Sequence, residues 1–63
     1  MPLITIELSP GRTHEQKKEF MEQVTKLTSE VLKCSVDTID VVFKEVSGNH
    51  WAHAGRFYSE PDK

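Results

Sequence analysis

"LITIELSPGRTHEQKKEF", residues 3–20, decides the fold of this 63-residue chain. It holds two periodicities separated by a turn. In the first, Ile4, Ile6 and Leu8 fall on one side and Thr5 and Glu7 on the other. A period of two with β-branched residues predicts a strand over Leu3–Leu8. Pro10 and Gly11 then punctuate the chain as turn residues. At Thr13 a threonine is followed three residues later by Gln16. That is a capping box, in which the Thr13 hydroxyl accepts from the Gln16 N–H while the Gln16 side chain reaches back. Beyond it Phe20, Val24, Leu27 and Val31 recur at helical spacing, with Met21, Thr28 and Leu32 beside them. The intervening positions are mostly Lys, Glu, Gln and Ser. The spacing predicts a helix from Thr13 to Leu32 with one buried stripe and one solvated face.

Reading outward, "TIDVVFKEV" (38–46) sets Ile39, Val41 and Phe43 against Asp40, Val42, Lys44 and Val46. This is a second strand. A strand–helix–strand order with a crossover of this length favours a parallel pair with a right-handed connection. "SGNH" (47–50) reads as a turn, and "WAHAGRFYSEPDK" (51–63) is long enough only for a small hairpin or an arm onto a neighbour. The expected architecture is α+β: one β-α-β unit with parallel strands, a short C-terminal hairpin or arm, and a single domain over 1–63. There are no internal repeats and no low-complexity tract.

Such a unit is short of stabilising contacts. A chain of this length buries only about 60% of the surface its unfolded form exposes, and two strands seldom stand alone. The single cysteine, Cys34, rules out an internal disulfide, and no Cys/His spacing suits structural zinc. Val42 and Val46 also leave the face away from the helix partly apolar. Oligomerisation that completes the sheet, with sites between chains, is therefore expected. A net charge of −2 with mixed signs offers no nucleic-acid surface. No apolar stretch is long enough for a signal peptide or a membrane span, so a cytoplasmic protein is the default expectation. Neither a metal nor a cofactor is implied.

Four features together resemble the tautomerase superfamily, specifically its short 4-oxalocrotonate tautomerase-like subunits. They are Pro2 directly after Met1, the turn "SPGRTHEQK" (9–17), the β-α-β order, and "GNHWAHAGR" (48–56). The resemblance covers nearly the whole chain without gaps. It implies a tautomerase fold, assembly as a homo-hexamer built as a trimer of dimers, and a small 2-oxo or enol acid as substrate.

The resemblance gives Pro2 a chemical task. Methionine before proline is normally removed, which would leave a secondary amine with a usable lone pair. An apolar pocket and nearby positive charge disfavour the ammonium form and bring such an amine towards neutrality. Pro2 would then act as general base and acid; the plainer reading is a proline that starts an edge strand. Arg12 matches the family's arginine in the turn after the first strand, where its planar fork suits a carboxylate. As an isolated residue it would be an exposed loop arginine. Trp51 falls where the family carries an aromatic residue, as a pocket wall that excludes water or as an interface anchor.

One position departs from the pattern. Diacid tautomerases carry an arginine on the second strand where this chain has Asp40. A carboxylate there would repel a dianionic substrate and, if close to Pro2, favour its protonated form. Lys44 on the same strand face, or Arg56 near the late turn, are candidate replacement charges. A salt bridge within the oligomer is the alternative role for Asp40. The expected activity is therefore keto–enol tautomerisation of a 2-oxo acid, weak on diacids such as 2-hydroxymuconate and better on monoacids such as phenylenolpyruvate. A hydratase- or dehalogenase-like reaction on the same proline, and a non-catalytic or half-competent subunit of a hetero-oligomer, are the alternatives. His50 and His53 read as ordinary loop residues, His14 as exposed, Cys34 as a partly buried thiol, and Glu7 as at most a water-orienting group.

Overall fold

Alternation, a capped helix and a return strand produce a parallel β-α-β unit. The structure is a computed structural model that describes residues 2–60. Whether Met1 is removed lies outside the described residues. Strand β1 (Leu3–Leu8) leads through the Gly11 turn into helix α1 (His14–Leu32), and the chain returns as β2 (Asp40–Glu45). A hairpin follows, formed by β3 (Ala52–His53) and β4 (Arg56–Phe57).

Each join has a local cause. Gly11 has φ +123°, a conformation side-chain-bearing residues rarely adopt, which lets the chain turn sharply after β1. The capping box forms in full: the Gln16 N–H donates to Thr13 Oγ1 at 3.1 Å and the Thr13 N–H donates to Gln16 Oε1 at 2.9 Å. The helix thus starts one residue after the expected position, with Thr13 as its cap. It ends where Lys33 turns left-handed (φ 58°) and donates its N–H to the Ser29 carbonyl. In the hairpin, Ala54 and Gly55 both have positive φ (55° and 82°), as a two-residue type I′ turn requires.

β1 and β2 pair in parallel register, Leu3 opposite Asp40, Glu7 opposite Lys44 and Leu8 opposite Glu45. Ile4, Ile6, Leu8, Val41 and Phe43 are half-buried, while Leu3, Thr5, Glu7, Asp40, Val42 and Lys44 are exposed on the opposite face. α1 covers the apolar face. The Phe20 ring meets Phe43 edge-on at 6.3 Å, and the Lys17 ammonium crosses to the Glu45 carboxylate at 2.8 Å.

The buried stripe of the helix differs from the one its spacing predicts. Lys17, Met21, Val24 and Thr28 are half-buried, whereas Phe20, Leu27 and Val31 remain 49%, 58% and 65% exposed. Two strands make a layer only about 10 Å across, no wider than the helix it carries. The sheet therefore shields one edge of a broad apolar arc and leaves the rest open.

Among the described residues none is fully buried. The radius of gyration is 15.3 Å, where a compact chain of this length has about 11 Å. The accessible surface is 5179 Å², against about 4,100 Å² for a compact monomer of this mass. Both excesses describe an open arrangement in which much of the sheet and helix faces is left uncovered within one chain.

Candidate functional site

Pro2 is half-buried at the head of β1. Its carbonyl accepts the Asp40 N–H at 3.1 Å, which anchors its main chain to the start of β2. The alternation along β1 puts Pro2 on the helix side with Ile4 and Ile6. Asp40 pairs with Leu3 and is exposed on the other face. The two residues are thus joined through the backbone, with the sheet between the Asp40 carboxylate and the Pro2 ring.

Arg12 lies beyond the opposite end of β1. Leu8 lies six residues on from Pro2, about 20 Å along extended chain. Arg12 rims a cavity of about 240 Å³ together with Gln16 and Lys17, over a floor of Ile6, Leu8, Phe20 and Phe43. The guanidinium is exposed, so its donors are available to an anion.

Trp51 is half-buried at this same far end, where it shares a cavity of about 390 Å³ with Ser9, Val46, Gly48 and Tyr58. Its indole meets the Tyr58 ring edge-on, centroids 5.5 Å apart with an interplanar angle of 74°. The Tyr58 N–H donates to the Trp51 carbonyl at 2.9 Å and the Ser59 N–H to the Gly48 carbonyl at 3.2 Å. A Cβ added at Gly48 would lie 3.0 Å from the Ser59 nitrogen, so a side chain there would push the Ser59 backbone back by a few tenths of an ångström.

The two candidate replacement charges are not beside Pro2 within one chain. Lys44 lies four residues along β2 from Asp40, about 13 Å away, on the open face opposite Glu7. Arg56 pairs with His53 next to the hairpin turn and rims a shallow depression with Phe57, Tyr58 and Glu60. Of the remaining residues, Cys34 is half-buried, His14 is exposed, and His50 Nδ1 shares a hydrogen bond with Ser47 Oγ at 3.2 Å.

A single chain therefore brings together Pro2 with the Asp40 backbone at one end, and Arg12, Trp51 and Tyr58 in two neighbouring hollows at the other. Ser9 and Tyr58 are absent from the sequence reading. The signal for Tyr58 is the Ala54–Gly55 turn: a two-residue loop with Ala52 opposite Phe57 necessarily puts Trp51 opposite Tyr58.

Comparison with known proteins places this geometry in context. The family model described as "Tautomerase enzyme" matches residues 2–60. A probable tautomerase of Bacillus cereus is 40% identical over 60 residues, 95% of this chain and 98% of the relative. The 2-hydroxymuconate tautomerase of Bacillus subtilis is 37% identical over 60 residues, 95% of this chain and 97% of the relative. Among solved structures, YwhB, a homologue of 4-oxalocrotonate tautomerase, superposes with a TM-score of 0.92 at 34% identity, covering 97% of this chain and 100% of that one. A second 4-oxalocrotonate tautomerase homologue, TTHB242, superposes with a TM-score of 0.92 at 27% identity over 100% of both chains.

Proposed function

The chain belongs to the tautomerase family of isomerases, and from that premise we propose that it interconverts the enol and keto forms of a 2-oxo acid with Pro2 as the proton carrier. The observation that carries this reading is the match beginning at Pro2, a residue whose main chain is tied to β2 by the Asp40 N–H. The proposal treats residues 1–63 as one catalytic domain that needs no metal or cofactor.

The proton balance is simple. With Met1 removed, the Pro2 nitrogen takes the enol hydroxyl proton while the electron pair moves into the carbon framework. The resulting ammonium returns a proton to carbon, leaving the ketone. Both steps need an amine whose pKa lies near the working pH. Apolar surroundings and the Arg12 charge act in that direction, because each disfavours a second positive charge. Arg12 also binds the substrate carboxylate through its planar fork and stabilises negative charge at that end as the enolate develops.

About 20 Å separates Pro2 from the Arg12 end of its own strand, far beyond the reach of one small acid. The site is consequently shared: Pro2 of one copy meets Arg12 and Trp51 of others. The unburied sheet and helix faces support such an assembly, which we read as a homo-hexamer, a trimer of dimers. In such a site Lys44 and Arg56, which lie away from Pro2 within one chain, are contributed by other copies as well.

The test is tautomerisation of phenylenolpyruvate and 2-hydroxymuconate by wild type and Pro2→Ala, with intact mass confirming that Met1 is absent. Loss of general acid–base catalysis is worth about 10²–10⁴-fold in rate. Equal rates for the two proteins would remove Pro2 from the mechanism.

A further inference from the structure

The cavity of about 240 Å³ beside Arg12 is rimmed by three polar side chains, Arg12, Gln16 and Lys17. They are not equally open. The Lys17 ammonium lies 2.8 Å from the Glu45 carboxylate, so its charge is already matched. The Arg12 guanidinium is exposed and has no partner among the described residues. Gln16 stands between the two cases. Its Oε1 accepts the Thr13 N–H at 2.9 Å. Only the oxygen of an amide can meet a backbone N–H, so this bond fixes which way round the Gln16 amide lies. Its two Nε2–H donors are left on the other side, and they have no partner among the described residues. We infer that Gln16 is a further substrate-binding residue, whose Nε2–H donates to the carboxylate that Arg12 holds. The inference rests on the proposed function for the role of Arg12, and on the capping box for the orientation of the amide.

A carboxylate has about four lone-pair sites. The Arg12 fork fills two, one on each oxygen, and leaves the others to water or to a nearby donor. Gln16 lies four residues on from Arg12 and rims the same cavity. Its amide is oriented by the helix start before any acid arrives, so little freedom is lost when it binds. Helix cap and substrate contact thus use different atoms of one side chain. A hydrogen bond to a charged group is worth about tenfold or more in affinity. Gln16 is exposed and exchanges water for the acid, which puts its share at the low end, about tenfold.

Two substitutions separate those atoms. Gln16→Glu keeps an oxygen for the Thr13 N–H, since glutamate closes the same capping box, but removes both donors. Gln16→Met removes donors and cap alike and adds no charge. The assembled protein is titrated calorimetrically with 3-phenylpropionate, a non-enolisable acid, and with its uncharged amide. The Kd for the acid should rise about tenfold in both variants, and KM for phenylenolpyruvate with it. The amide, which offers Arg12 no carboxylate, should bind wild type and Gln16→Met equally weakly. The unfolding midpoint should fall in Gln16→Met alone. No saturable binding of the acid to wild type, or an unchanged Kd in both variants, would overturn the assignment. So would a rise confined to Gln16→Glu, which marks charge repulsion, or to Gln16→Met, which marks a damaged helix start. Should Pro2→Ala retain full activity, the proton-carrier reading fails while the titration still decides whether Gln16 binds the carboxylate.

Discussion

Leu27 offers a direct test of how this chain is stabilised. It lies on the part of the α1 stripe the sheet does not reach and is 58% exposed. Completely burying a leucine is worth about 1.5–3 kcal/mol, so covering the exposed remainder contributes about 1–1.7 kcal/mol per copy. In a two-fold interface each copy supplies the contact once, giving about 2–3.5 kcal/mol per dimer. Losing all of it corresponds to roughly a 30- to 300-fold weaker dimer at about 1.4 kcal/mol per tenfold, and Leu27→Ala removes most of it. Leu27→Asp goes further, since a carboxylate in a closed apolar interface lacks a partner. Sedimentation velocity across a concentration series measures the shift. Thermal unfolding should follow it, with a midpoint that rises with protein concentration in wild type and falls in the variants. A Leu27→Asp protein that keeps the wild-type assembly and midpoint would refute the idea that another copy covers this stripe.

Two further predictions concern the strand heads and the helix start. Asp40→Arg should raise kcat/KM for 2-hydroxymuconate about 10- to 100-fold, as a repelled second carboxylate gains a charge-assisted partner. It should also move the acidic limb of the pH–rate profile to lower pH, because positive charge near Pro2 disfavours the ammonium; an unchanged diacid rate would show that position 40 does not face the substrate. Thr13→Ala removes the acceptor for the Gln16 N–H and should cost about 1 kcal/mol of stability, read by chemical denaturation at fixed protein concentration, with no change in oligomeric state.

The parts of the fold that were legible in the sequence are those fixed by contacts close along the chain. Alternation in Leu3–Leu8 needs only a strand with one apolar face, and Thr13 with Gln16 needs only each other, so both appear as read. The helix stripe is different. Its apolar arc is visible in the sequence, but which edge is covered depends on the width of the layer beneath, and no local pattern states that the sheet has two strands per chain. Phe20, Leu27 and Val31 therefore share one arc, as their spacing predicts, but are left largely exposed within one chain.

The same distinction governs the site. Pro2, Arg12 and Trp51 stand out through the resemblance to the tautomerases, since each alone reads as an edge-strand proline, a loop arginine or an interface aromatic. The distance from Pro2 to Arg12 follows from the strand between them, whereas the place of Trp51 near the Arg12 end follows from the parallel register, which brings the end of β2 to the end of β1. That register has a consequence for Asp40. Within one chain its carboxylate faces away from the Pro2 ring, across the sheet, so its charge acts on Pro2 most directly when another copy packs against the open face that carries Leu3, Val42 and Asp40. On the proposed mechanism, substrate charge preference and assembly would be coupled through this one residue. If Asp40→Arg alters both the diacid rate and the sedimentation profile, position 40 lies at the interface and in the site together. If it alters the rate alone, the open face meets its neighbour elsewhere, and only its edge near the strand heads reaches the reacting acid.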